Sequence, residues 1–370
     1  MVDRFIIGYA ITHKHTKNSI LILNDYWYQN YQYINKIEPI AVISSYKYVF
    51  SHIPSYLQKY DIPIFFSNQQ ELDRIVEGQS IHIDILKNAI QIGQGLQQEL
   101  IVDSNVIMKN NKRIYVKSSL KGENIKNCFQ YGSDGIGLIS TEFLFLNYPK
   151  ISRDLQYKVL DNIFRNNPKT EYTIRLFDID DDKVPMWFNL DTDKKTRGVS
   201  LLLTPKYKQI LLMQLEAIMD LNDKYNVSIL IPFINNLDEI LLIREMINEF
   251  SRQKNIKVGV MLESTSSINM ADKMVKYVDF FSIGTNDLVQ SFFKIDRRNV
   301  LDIDSLNLHT SGFIDFLHHT KKLTHQVETR LCGQLPIMPD MVEILLSMGY
   351  CDFTISPFWI QYLKNKIKAM

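Results

Sequence analysis

The sequence predicts an α/β protein in which a C-terminal (β/α)8 barrel follows a small α/β unit. Three observations carry that expectation. From Arg113 onward, eight short apolar runs alternate with helical segments over about 250 residues, the count and length of a closed eight-stranded barrel. Within them, Val258 to Asn299 reads strand, loop, helix, strand, loop. Two strands joined by a crossover helix run parallel, so their C-terminal ends share one face. Upstream, the polar stretch Gln94–Lys112 reads as a helix and turn and separates the barrel from what precedes it. The boundaries expected are a first domain over residues 1–95, a helical linker over 96–112 and the barrel over 113–370.

In the first domain, Phe5–Tyr9 and Ser19–Leu23 are strand-like, and the aromatic, polar segment Asn24–Lys36 after them has no clear period. Ile40–Ser44 reads as a strand, Ser51–Tyr60 as a helix, Ile62–Phe66 as a strand and Gln69–Val76 as a helix. Ser80–Ile85 and Ala89–Ile92 form a terminal hairpin. His52 is the chemical candidate. Ser51 suits an N-cap, and Pro54 falls in the first turn, where a missing N–H costs nothing. His52 is therefore expected at a helix N-terminus, where free N–H groups and the macrodipole favour an anion. An imidazole there can carry a phosphoryl group as a covalent intermediate. The alternative is a solvated histidine in a helix's first turn.

The barrel runs are Ile114–Lys117, Gly135–Ile139, Thr173–Phe177, Ser228–Pro232, Lys257–Leu262, Asp279–Ile283, Thr329–Cys332 and Asp352–Ile355. A doubly wound sheet fits less well, because eight strands suit closure. Strand C-termini are where such folds keep their chemistry. Glu263 and Asp287 close two adjacent runs, and two converging carboxylates suit Mg²⁺, which leaves its other positions to water and a phosphate-bearing substrate. The alternative is a pair of acids that cap helices. Asn286 can donate to a phosphoryl oxygen. Arg175, in TIRLFDIDDDK, serves either a bound anion or an acid such as Asp178. Asp178, Asp180 and Asp182 resemble a calcium loop in spacing, but Lys183 and Asn189 occupy the positions that need Gly and Glu, so calcium is excluded. Cys332 ends the seventh run; as a buried cysteine it would be only a small hydrophobe.

Composition narrows the class. The 370 residues are 45% hydrophobic and 22% charged, with 42 basic against 41 acidic side chains, so nothing favours nucleic acid or an anionic membrane. No stretch approaches the ~20 apolar residues of a membrane-spanning helix, and the N-terminal apolar run is too short for a signal peptide. Cys128, Cys332 and Cys351 have neither CxxC spacing nor an even count, which points to a reducing cytoplasm.

The wording GVMLE…DFFSIGTNDLVQ…DRRN closely resembles the phosphoenolpyruvate-binding barrel of the family containing enzyme I of the bacterial sugar phosphotransferase system, pyruvate phosphate dikinase and phosphoenolpyruvate synthase. AVISSYKYVFSHIPSYLQKYDIPIFF is similar to that family's swivelling phosphohistidine domain, with His52 in the place of the phosphorylated histidine. The resemblance implies a phosphotransferase that moves the phosphoryl group of phosphoenolpyruvate to His52 and releases pyruvate. The group would pass on to a separate acceptor protein or nucleotide-binding subunit. Mg²⁺ would sit on Glu263 and Asp287, and Arg175, Arg197, Asn286 and Arg297 would hold substrate. Cys332, in RLCGQL, would protonate the enolate. A homodimer through the barrel is implied by the same likeness.

The chain departs from the family pattern at several positions. Ser140 stands where GIGLxRTEFLF has a substrate-binding arginine, Asp180-Asp181 replace Gly-Gly, Gln334 replaces a glutamate, and Tyr46-Lys47 and Phe50 replace the residues expected before Ser-His. Lys117-Ser118-Ser119 replaces an expected Ala-Asn-Ile. These departures keep two other readings open: a catalytically degenerate protein that binds phosphoenolpyruvate for regulation or scaffolding, and a barrel adapted to another phosphorylated substrate.

Overall fold

Runs of Val, Ile and Leu that are buried on both faces form parallel strands, and eight of them here close into a ring. The computed structural model describes residues 4–11, 18–93, 98–181, 183–190, 197–250, 255–295 and 308–370. In the first part, β1 (Phe5–Ile11), β2 (Ser19–Ile22), β3 (Ala41–Ser45), β4 (Ile64–Ser67), β5 (Ser80–Asp84) and β6 (Ala89–Ile92) make one sheet in the order β4-β3-β2-β1-β5-β6. Its first four strands are parallel, and β5 and β6 add as antiparallel neighbours.

The barrel begins with a hairpin of β7 (Ile107–Lys109) and β8 (Lys112–Leu120). Asn110 and Asn111, both with positive φ, turn it; such a pair makes the two-residue turn that matches strand twist. The linker expected as a helix and turn thus has no helix over its described residues 98–112, and its turn falls at the two asparagines, which favour a hairpin. There follow β9 (Ile136–Ser140), β10 (Glu171–Arg175), β11 (Asn226–Ile231), β12 (Lys257–Leu262), β13 (Phe280–Gly284), β14 (Glu328–Cys332) and β15 (Asp352–Ile355). Each pairs in parallel with the next, and β15 pairs with β8 to close the ring. All eight expected strands are present.

Inside the ring, Leu138, Leu230, Met261, Phe280 and Cys332 form a separate apolar cluster. Charged side chains close its N-terminal end: Lys117 Nζ lies 2.6 Å from Asp352 Oδ2, and Arg330 Nη2 lies 2.8 Å from Glu171 Oε1. No described helix is long and apolar enough to cross a membrane.

The small sheet unit rests on the C-terminal mouth of the barrel. Gln58 Nε2 donates to Ser119 O at 2.7 Å, Gln290 Nε2 donates to Phe50 O at 2.9 Å, and Trp359 Nε1 donates to Ile64 O at 3.2 Å. Gly122 permits the approach, since a Cβ there would come within 2.6 Å of Lys59 O. The segment that has no sequence period folds as two short helices, Asp25–Gln29 and Ile34–Ile37, around a single tight turn. Asn24 caps the first through the Trp27 N–H at 3.1 Å.

Candidate active site

Glu263 follows β12 directly, and Asp287 lies in the first turn of helix Thr285–Phe293 after β13. Gly284 between them is required by space. A Cβ there would stand 2.9 Å from Glu263 Cβ and 3.2 Å from Glu263 Oε2. Glu263 is buried and accepts the Phe233 N–H at 2.8 Å. Burial first, then the charges of Asp287 and Asp178, push its carboxyl up to about 8. A divalent ion would relieve the repulsion, so this donor pair fits Mg²⁺.

Asp178 follows β10 and is fully buried. Burial alone would raise its carboxyl, but Arg197, Lys183 and Arg175 outweigh that and hold it well below the usual range. Lys183 pairs with Asp178. Arg197 spans Asp178 and Asp287, with Nη2 at 3.2 Å from Asp178 Oδ2 and Nη1 at 3.0 Å from Asp287 Oδ1. Its guanidinium also stacks over Phe233 at 4.3 Å. Arg197, expected on the substrate, is engaged by these carboxylates and is not among the described residues on the cavity wall.

Arg175, the last residue of β10, is buried and pairs with Glu142, in the first turn of the short helix after β9. Its Nη1 sits 3.5 Å from Met261 Sδ, and its Nε has no hydrogen-bond partner. Cys332 ends β14. Burial pushes its thiol up to about 11, and the Ser282 hydroxyl, donating to Sγ at 3.3 Å, offsets this in part. The next residue, Gly333, has φ +115°, and a Cβ there would lie 2.4 Å from Thr285 Oγ1 and 2.7 Å from Asn286 Oδ1. Asn286 Oδ1 accepts the Gln334 N–H at 2.8 Å, which leaves its amide N–H groups to the cavity. Gly333→Ala is expected to lower stability by about 2–3 kcal/mol and to displace Asn286, read as a lower Tm and weaker ligand binding.

His52 reaches the same cavity from the other unit. The helix begins at Ile53, two residues later than expected, because Ser51 Oγ caps the Ile53 N–H at 3.3 Å and leaves His52 at the junction. The imidazole packs edge-on against Tyr31 at 4.3 Å. One cavity of about 90 Å³ is thus lined by His52, Arg175, Glu263, Asn286, Asp287 and Cys332. A water needs about 10–15 Å³, so the space has room for a small phosphorylated acid. Arg297 lies outside the described residues. Among the described residues, no group of three or more His, Cys, Asp or Glu could hold a metal, so a cation here would rest on two carboxylates.

Two lining residues escape the sequence reading. Lys183 is visible there only as a misfit in a calcium pattern, and Lys121 carries no motif signal at all.

Residues 97–370 match the family described as PEP-utilising enzyme, PEP-binding domain. The chain is 27% identical over 354 residues to the phosphoenolpyruvate-protein phosphotransferase of Buchnera aphidicola from Acyrthosiphon pisum, covering 86% of this chain and 62% of that protein. It is 26% identical over 339 residues to the protein of the same name from Mycoplasma genitalium, covering 83% and 58%. It is 28% identical over 322 residues to the phosphoenolpyruvate-dependent phosphotransferase system protein of Escherichia coli, covering 74% and 42%. The chain spans about three-fifths of the length of the first two.

Proposed function

This chain belongs to the PEP-utilising enzymes, and from that premise we propose that it moves the phosphoryl group of phosphoenolpyruvate to His52, releases pyruvate and hands the group to a separate partner. The observation that carries the reading is the small cavity that His52 shares with Arg175, Glu263, Asn286, Asp287 and Cys332. A ring nitrogen of His52 attacks phosphorus as the bond from phosphorus to the enol oxygen breaks. The electron pair stays with the enolate, and Cys332 gives its proton to the methylene carbon, which makes pyruvate. Glu263 and Asp287 would hold Mg²⁺, whose positive charge offsets that of the phosphate. Arg175 and Asn286 orient the substrate, Arg297 adds a clamp by the family likeness, and Arg197 fixes the direction of Asp287.

The acceptor would be a small carrier protein or a nucleotide-binding subunit, which the first unit reaches by leaving the barrel mouth. A dimer through the barrel accords with the same likeness.

Phosphoenolpyruvate with Mg²⁺, at a hundred times its Kd, should stabilise the protein by about 2.7 kcal/mol, read as a Tm raised by several degrees. Glu263→Gln should lose the Mg²⁺-dependent part of that shift. No shift in the wild-type protein would overturn the reading. The serine at position 140 favours one second reading, a protein that binds phosphoenolpyruvate and does not turn it over. It predicts the Tm shift without any phosphorylated His52.

A further inference from the structure

A cation that faces a small cavity and lacks a carboxylate partner is a candidate for the charge of a ligand. Among the described residues, three amine or guanidinium side chains line this cavity: Lys121, Arg175 and Lys183. Two are already neutralised, Arg175 by Glu142 and Lys183 by Asp178. Lys121 differs. Among the described residues no carboxylate lies within 4 Å of its ammonium. Its one hydrogen bond is to Ser140 Oγ, at 3.2 Å, and its ammonium lies 5.1 Å from the centre of the Phe143 ring. Ser140 is fully buried at the end of β9, and Lys121 follows the end of β8, so two neighbouring strands bring them together.

We propose that Lys121 binds the phosphate of the substrate, supplying from β8 the cation that residue 140 on β9 does not carry. The inference rests on the phosphoenolpyruvate reading given above. It explains how a serine is accommodated at position 140: the short hydroxyl leaves room for the ammonium and orients it. An arginine at 140 would need the same space.

The electrostatic surroundings agree with a site that awaits an anion. Burial, then the charge of Arg175, pushes the Lys121 ammonium down to about 8, against partial support from Glu142. The other titratable groups facing it are Lys183 and Cys332, and His52, Glu263 and Asp287 share the cavity. A bound phosphate dianion, already fully charged above pH 7, would restore the proton.

The probe is phosphoglycolate, which has the phosphate and carboxylate of the substrate but no enol, titrated with Mg²⁺ in a calorimeter. Lys121→Met is expected to weaken it about 10- to 100-fold without lowering Tm, because removing a half-buried charge that has no carboxylate partner leaves no opposite charge exposed. Lys121→Arg should keep binding within a few-fold of wild type. It should also flatten the loss of affinity as pH rises from 7 to 9.5, since arginine stays charged where lysine does not. Lys121→Gly with Ser140→Arg, which moves the cation to the other strand, should recover most of what Lys121→Gly alone loses. Unchanged affinity in Lys121→Met overturns the inference and leaves the phosphoenolpyruvate reading standing. A lowered Tm with unchanged affinity assigns Lys121 to structure alone. Wild-type protein that binds neither phosphoglycolate nor phosphoenolpyruvate overturns both.

Discussion

Incubated with phosphoenolpyruvate and Mg²⁺, the intact chain should gain the mass of one phosphoryl group, and His52→Ala should gain none. The expected loss is complete, because His52 is the assigned nucleophile and its described neighbours are engaged otherwise: Tyr31 and Tyr28 pack their rings against the imidazole, and Ser51 donates to Tyr48 O at 2.7 Å. The adduct should be lost in acid and survive in base, as a phosphorus–nitrogen bond does and a serine phosphate does not. His52→Gln, nearer in volume, is the control for folding, and both variants should still show the Tm shift with phosphoenolpyruvate. An adduct that persists in His52→Ala would move the nucleophile elsewhere. An adduct absent from wild type, beside an intact Tm shift, would select the reading without turnover.

The barrel was legible because each strand is a short apolar run bounded by polar turns, and eight such runs leave little choice but closure. Glu263, Asn286, Asp287 and Cys332 could be read because they end strands or follow them within three residues, and strand ends converge whatever the loops do. Contacts between the two units were not legible. Nothing in the spacing of Phe50 and Gln290, or of Gln58 and Ser119, announces a hydrogen bond across 240 or 61 residues. Arg197 was legible only as a charge; nothing in its spacing from Asp178 and Asp287 announces that it pairs with both. Lys121 is the instructive miss. A motif comparison reads position 140 as a lost arginine, whereas in space the adjacent strand supplies an ammonium. Function held by charge can move between neighbouring strands and leave no trace in either motif.

Cys332 should govern the carbon chemistry while His52 governs the phosphorus chemistry, and the two are separable by experiment. In heavy water with Mg²⁺, the methyl protons of pyruvate should exchange in wild-type protein, and Cys332→Ala should exchange them about 10²- to 10⁴-fold more slowly, the usual range for removing a positioned acid or base. Phosphorylation of His52 should fall far less, because cleavage of the phosphorus–oxygen bond comes before the carbon needs a proton. The pH dependence has a definite sign. With the thiol raised to about 11, the donor form dominates at neutral pH, and the thiolate that removes a proton in the reverse direction is scarce. Exchange should therefore climb about tenfold per pH unit from neutrality toward 11 in wild type and lose that slope in Cys332→Ala. Ser282→Ala supplies the finer test. Removing the hydroxyl that donates to Sγ takes away the support that lowers the thiol, so the rising limb should move to higher pH with the cysteine still present. A profile that ignores both substitutions would place the carbon acid elsewhere and leave Cys332 as a buried apolar side chain.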